Sequence, residues 1–249
     1  MFVLLTCLFL ILAFIFSMLG LGGAMVYNPL MVWFGYDFKS VVIPVGLLLN
    51  GLTAASSAWV YARKRMIDYS AGLPIVVTSA IGAPIGAYFT QFISTQILLG
   101  LFAAAVLFAG GRMILIRNQS EPERVRGTTL QRAILGAALG LGIGAVAGLL
   151  GVGGGFLIVP VLMAMGYPTK TAAATSAFTV VFSSFSGFLG HVAVGHFDWL
   201  LMGVMAVVVI AGSQGGALVM QARLKPQHIK RMFGAVLVFV ALKMVAGLI

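Results

Sequence analysis

Two glycine clusters, Gly20-Leu21-Gly22-Gly23 and Gly151-Val152-Gly153-Gly154-Gly155, carry the chemistry most worth following in this chain. Each interrupts a long apolar run, and each is followed by a proline, Pro29 or Pro160. Glycine lets another group approach the backbone closely. A helix restarting after such a break, at Ala24 or Phe156, exposes free N–H groups and the positive end of its dipole. That arrangement attracts an anion without any buried cation. Gly22, Gly23, Ala24, Gly153, Gly154, Gly155 and Phe156 are therefore candidate binding positions. The plainer alternative, glycines kept only for close helix packing, explains one pair better than two matching ones.

Hydroxyls and amides form a second group. Asn50, Thr53, Ser56 and Ser57 share one apolar segment, and Thr175, Ser176, Thr179, Ser183, Ser184 and Ser186 share another. Such groups donate to oxyanion oxygens while remaining uncharged. Taken singly, each is better explained by hydrogen bonding between helices, worth roughly 0.6 kcal/mol in membranes. Taken as two clusters beside the glycine breaks, Asn50, Thr53, Ser57, Thr175, Ser176, Thr179 and Ser183 join the candidate site, with Asn28 just before the first proline.

Several familiar chemistries are excluded. Gly142-Ile143-Gly144-Ala145-Val146-Ala147 spells a dinucleotide fingerprint but lacks a preceding strand and a ribose-binding acid. Gly136, Gly140, Gly144 and Gly148 instead fall every four residues, a smooth face for helix packing, and Gly82/Gly86 and Gly212/Gly216 repeat the theme. The five acids, Asp37, Asp68, Glu121, Glu123 and Asp198, all lie at loops or segment ends. His191 is the one titratable candidate at depth, either proton-linked or simply interfacial. One cysteine, Cys7, rules out an internal disulfide, and no metal centre or cofactor is expected. Ser, His and Asp are too dispersed for a hydrolase.

The elements that must position these residues follow from composition. Of 249 residues, 61% are hydrophobic and 8% charged, and mean hydropathy is +1.12. A soluble domain cannot cover that much apolar surface, so the chain is expected to be an all-α polytopic membrane protein. Eight apolar segments can be drawn, at 2–34, 40–62, 70–92, 96–116, 133–165, 171–194, 199–221 and 227–248. Most approach the ~20 residues that span a bilayer. The first lacks a basic start and a cleavage pattern, so it is read as a membrane segment rather than a secretion signal. The net charge of +10 sits in three loop clusters, around Arg63, Arg117 and Lys225, which reads as membrane orientation rather than nucleic-acid binding.

The two halves are copies. At an offset of 131, Gly20, Gly22, Gly23, Pro29, Gly35, Tyr36 and Lys39 match Gly151, Gly153, Gly154, Pro160, Gly166, Tyr167 and Lys170. At an offset of 130, Asp68, Gly82, Gly86 and Gln91 match Asp198, Gly212, Gly216 and Gln221. The expected organisation is a four-segment repeat over 1–117, a basic cytoplasmic linker over 118–131 and a second repeat over 132–249. Basic loops at 63–69, 112–132 and 222–231 and an uncharged loop at 92–95 can all obey the positive-inside rule only if the repeats are inverted. Inversion follows if each glycine-broken segment dips in and returns, a recurring transporter plan.

The pattern Gly-x-Gly-Gly-(Gly)…Pro at 20–29 and 151–160, with the Thr175-Ser176 stretch, resembles the sulfite exporter TauE/SafE family over essentially the whole chain. The second copy is the more specific match, since the first has Ala24 for the third glycine and Asn28 before proline. The resemblance implies transport of sulfite, sulfonates or related small sulfur anions across a bacterial cytoplasmic membrane, in either direction. A secondary transporter by alternating access, with export favoured, is the leading expectation. An anion channel of the same architecture, a cation-coupled uptake permease and a membrane enzyme are the alternatives. The expected partners are a small anionic solute and the bilayer; oligomeric state is left open.

Overall fold

The computed structural model describes residues 2–115, 128–192 and 199–222, with the isolated positions 238 and 242. Among the described residues the chain is all helical. Helix α1 (Phe2–Ser17) and α2 (Ala24–Trp33) are followed by a π-helical turn, Phe38–Val42, that runs into α3 (Ile43–Arg63). Then come α4 (Tyr69–Thr90), α5 (Thr95–Leu115), α6 (Thr129–Leu150), α7 (Gly155–Ala164), α8 (Thr169–His191) and α9 (Trp199–Ala222). Among the described residues, five stretches are long and apolar enough to cross a membrane: Phe38–Arg63, Tyr69–Thr90, Leu130–Leu150, Thr169–His191 and Met202–Met220. The expected segment 227–248, apart from positions 238 and 242, and most of the 118–131 linker lie outside the described residues.

The segments at 2–34 and 133–165 are each two helices separated by a glycine turn. Both short helices after the turns stop in the same way. Gly35 and Gly166 take positive φ, and the N–H groups of Tyr36 and Tyr167 bond back to the Met31 and Leu162 carbonyls. Helix α6 begins at Thr129, four residues ahead of the expected start. A reciprocal cap explains the extension: Thr128 Oγ1 accepts from Gln131 N–H, and Gln131 Oε1 accepts from Thr128 N–H.

Small residues set the packing. Gly144 and Gly148 of α6 lie on the Ser79 and Ala83 backbone of α4, and Gly82 and Gly86 of α4 lie on the Leu141 and Ala145 carbonyls of α6. A Cβ at any of these would strike a neighbouring backbone, so the expected smooth face is a contact face. Helices α9 and α1 meet similarly, Gly212 and Gly216 lying on the Leu10 and Phe14 carbonyls.

Helices α3 and α8 pass through the middle, with 78% and 61% of their spanning stretches buried against 39%, 39% and 44% for α6, α9 and α4. They run antiparallel. Leu47 packs on Gly187, Asn50 bonds Ser184, and Phe185 covers Gly51. The polar clusters of the sequence are on this central pair.

Candidate functional site

Both glycine breaks are buried, and they touch: a Cβ on Gly155 would lie 2.8 Å from Leu21 Cα. Gly20 and Gly22 in the first break, and Gly151, Gly153 and Gly154 in the second, hold φ between +66° and +81°. Residues with a side chain reach that region only at a cost, which is why glycine stands there. Between the breaks sits the Asn50 amide. A Cβ on Gly22 would strike its oxygen, and one on Gly153 would strike its nitrogen and the Ser184 hydroxyl.

Asn50 caps the first break. Its Oδ1 accepts from Gly23 N–H at 2.6 Å and Ala24 N–H at 2.9 Å, the donors at the positive end of α2. Its Nδ2 donates to Ser184 Oγ at 2.9 Å. The α7 start differs. Gly154 is its N-cap and no side chain accepts there, although Gly155 and Phe156 are buried. At the offset of 131 the sequence has Val181 where the first half has Asn50, and valine carries no acceptor.

The carbonyls freed by the breaks are claimed crosswise. Ser176 on α8 donates to Gly20 O at 2.9 Å and approaches Gly155 O at 3.4 Å. Asn28 on α2 donates from Nδ2 to Gly151 O at 2.9 Å, and Ser183 donates to Gly153 O at 2.7 Å. Asn28 Oδ1 is buried without a hydrogen-bond partner. Further out along α3 and α8, Thr53, Ser57 and Thr179 return their hydroxyl hydrogens to the Leu49, Thr53 and Thr175 carbonyls of their own helices. Thr175 Oγ1 instead accepts from Asp68 N–H at the start of α4. The structure therefore gathers Gly22, Gly23, Ala24, Asn28, Asn50, Ser176, Ser183, Gly153, Gly154, Gly155 and Phe156 at the breaks, with Thr53 a turn along α3. It leaves Thr175 at the edge. In this conformation most of the hydroxyl donors are engaged with carbonyls.

Sequence reasoning missed three groups. Tyr27 OH lies 3.2 Å from Thr53 Oγ1, and Tyr61 OH donates to Ser17 O, the last carbonyl of α1, at 2.7 Å. Thr90 donates to Leu149 O at 3.2 Å. His191 Nε2 is 3.0 Å from Gly148 O; a carbonyl only accepts, so the ring donates there. Outside the spans, Asp37 caps the turn into α3, and its hydrogen bonds from the Ser40 hydroxyl and N–H hold its carboxyl below the usual range.

No charged side chain is among the groups that meet at the two breaks. Peptide dipoles, amides and hydroxyls, buried where broken helices meet within a bundle of membrane-spanning helices, are the equipment of a solute transporter rather than an enzyme. The chain belongs to the TauE/SafE family: the sequence model described as Sulfite exporter TauE/SafE matches residues 5–244. It is 32% identical over 221 residues to the probable membrane transporter protein YunE of Bacillus subtilis, covering 80% of this chain and 81% of that one. A probable membrane transporter protein of Haemophilus influenzae is 25% identical over 254 residues, 93% of each chain. An 83-residue stretch, 33% of this chain and 17% of the other, is 32% identical to Sulfite exporter TauE/SafE family protein 3 of Arabidopsis thaliana. No solved structure matches. The protein is a multi-pass membrane transporter.

Proposed function

We propose that this transporter moves sulfite, a sulfonate or a related small sulfur-containing anion by alternating access between two inverted halves, with export the favoured direction. The carrying observation is the meeting of the two breaks around Asn50, with an uncapped helix start at Gly155–Phe156 beside it. Uncommitted backbone donors at a positive helix end suit an oxyanion. On the first side the neutral Asn50 oxygen occupies the donors that an anion oxygen would otherwise take. The conformation is thus read as the closed one, with Asn50 standing in for solute.

Inversion draws support from the packing. The polar helices α3 and α8, which correspond in sequence, run antiparallel, and Gly82/Gly86 and Gly212/Gly216 make corresponding contacts with α6 and α1. Rocking one half against the other would then expose the breaks to alternate sides. Export needs no coupled ion. A dianion leaving an interior held 100 mV negative gains roughly 4.6 kcal/mol, about three decades of concentration gradient.

The test is counterflow of labelled sulfite in proteoliposomes. Saturable uptake driven by unlabelled internal sulfite is expected. Currents that do not saturate and show no counterflow would replace the carrier with a channel, and no flux of sulfite or of a sulfonate would remove the substrate assignment.

A further inference from the structure

Tyr61 and His191 do the same job at the two breaks. Tyr61 OH donates to the carbonyl of Ser17 at the end of α1, and His191 Nε2 donates to the carbonyl of Gly148 in the last turn of α6. The acceptors Ser17 and Gly148 correspond at the offset of 131, and the donors Tyr61 and His191 stand one residue out of that register. Each pin ties the end of a central helix to the carboxyl end of the helix that enters the break. The chemical difference is that a tyrosine pin keeps its charge state through the physiological range, whereas an imidazole changes charge there.

We infer that His191 is the proton-binding group of the transport cycle, its charge state setting how firmly α6 is held at the second break. The inference rests on the transport reading above. With Nε2–H committed to Gly148 O, the added proton goes to Nδ1, and the ring becomes a cation facing the negative pole of α6. That pole is gathered close by: Thr90 donates to Leu149 O and Asn28 to Gly151 O. Cations at such a helix end are favoured. The neutral and the protonated ring therefore hold Gly148 O with different strength, and opening the break is coupled to the proton bound there.

No competing charge surrounds the ring among the described residues. Helices α3, α4, α6 and α7 pack on α8. Their charged residues are Arg63 at the far end of α3, Arg132 at the start of α6, and Asp68 capping the start of α4. Lys170, at the other end of α8, is about 30 Å away at 1.5 Å per residue. Asp37 and Lys39 precede α3 and act on one another. Near the ring are Ala87 and Pro84 against Gly190, and the Gly148–Leu149 backbone. Among the described residues, His191 is the group that can carry a charge change at this end.

The tyrosine of the other half supplies the test. His191→Tyr keeps a donor for Gly148 O and removes the titration; Tyr61→His does the reverse at the first break. Sulfite counterflow is measured for each protein between about pH 5 and 8, the range over which an imidazole changes charge, and expressed as a ratio to wild type at the same pH, so that protonation of sulfite itself cancels. The wild-type rate relative to His191→Tyr should change about fivefold across this range, the size of a cation's interaction with a helix end. Tyr61→His should gain a pH dependence. A flat ratio with both proteins active overturns the inference while leaving transport standing. If His191→Tyr does not insert, His191→Gln, whose amide also donates, takes its place with the same two outcomes. Absence of counterflow in wild type at every pH would instead remove the transport reading.

Discussion

The two breaks share a backbone shape and differ in almost every side chain that serves it. The first has two positive-φ glycines, an asparagine capping its helix start and a tyrosine pin; the second has three such glycines, an uncapped start and a histidine pin. Where the first needs its Gly20 carbonyl held, Ser176 reaches across; where the second needs Gly151 held, Asn28 does, from a position that does not correspond. The need for a partner at each exposed peptide group is dictated by burial, but which residue meets it is free to drift. The first helix start is capped by a side chain and the second is not. That division is what the following experiments address.

The largest effect is expected at the contact between the breaks. Gly153→Val puts a Cβ into the Asn50 amide and Ser184 hydroxyl at φ +69°, a conformation valine resists. Sulfite exchange should fall by roughly 100-fold, about 2.8 kcal/mol, with membrane insertion retained. Gly142→Ala is the control, since nothing lies within 4 Å of its Cβ position and the residue is helical. It should exchange normally and gain up to about 1 kcal/mol of stability. Equal exchange in both variants would dissolve the site as drawn.

Next comes Asn50. Asn50→Asp places a carboxylate oxygen on the Gly23 and Ala24 N–H groups, which bond a charged acceptor more strongly than a neutral one. A tethered anion would compete with the travelling one, so exchange should drop by about tenfold or more, the reach of one charge-assisted bond, with thermal stability preserved. Asn50→Leu strands two buried donors and should lose both exchange and stability, by about 1–3 kcal/mol for each donor. If the two variants lose stability alike, Asn50 is a structural cap and no surrogate for solute. Val181→Asn asks the converse: it offers α7 a cap, and should slow exchange while stabilising the fold.

Much of this architecture was legible in the sequence, and the limits have physical causes. Membrane segments and breaks follow from hydropathy and from glycine, both local properties. The stripe Gly136–Gly148 could be read as a packing face because helical periodicity brings every fourth residue to one side. The start of α6 at Thr129 was also written locally, in Thr128 and Gln131, and was overlooked. The role of Asn50 was not readable in advance. An asparagine in an apolar segment can serve any backbone within reach, and only the antiparallel crossing of α3 and α8 brings it between Gly22 and Gly153. Asn28 makes the same point: its donor finds Gly151 O, while its acceptor is left unpaired.

The smallest effect tests the same asymmetry one turn beyond the breaks, outside the spans. Asp37 caps the turn into α3, whereas Pro168, which corresponds to it, gives α8 no side-chain cap. Asp37→Ala should cost about 0.5–1 kcal/mol, the usual worth of such a cap, measured as thermal unfolding in nanodiscs. The sign of the pH effect is fixed by the Ser40 bonds that lower the folded carboxyl below its unfolded value. The stabilisation is full above that unfolded value, near 4, and disappears as pH falls through the lower folded one. The gap between wild type and Asp37→Ala should therefore be constant at neutral pH and close only in acid. Pro168→Asp, whose carboxylate would face the N–H of Thr171 as Asp37 faces that of Ser40, should gain a similar amount with the same pH profile. A gap that closes near pH 6 would assign the linkage to a histidine and break the equivalence of the two turns.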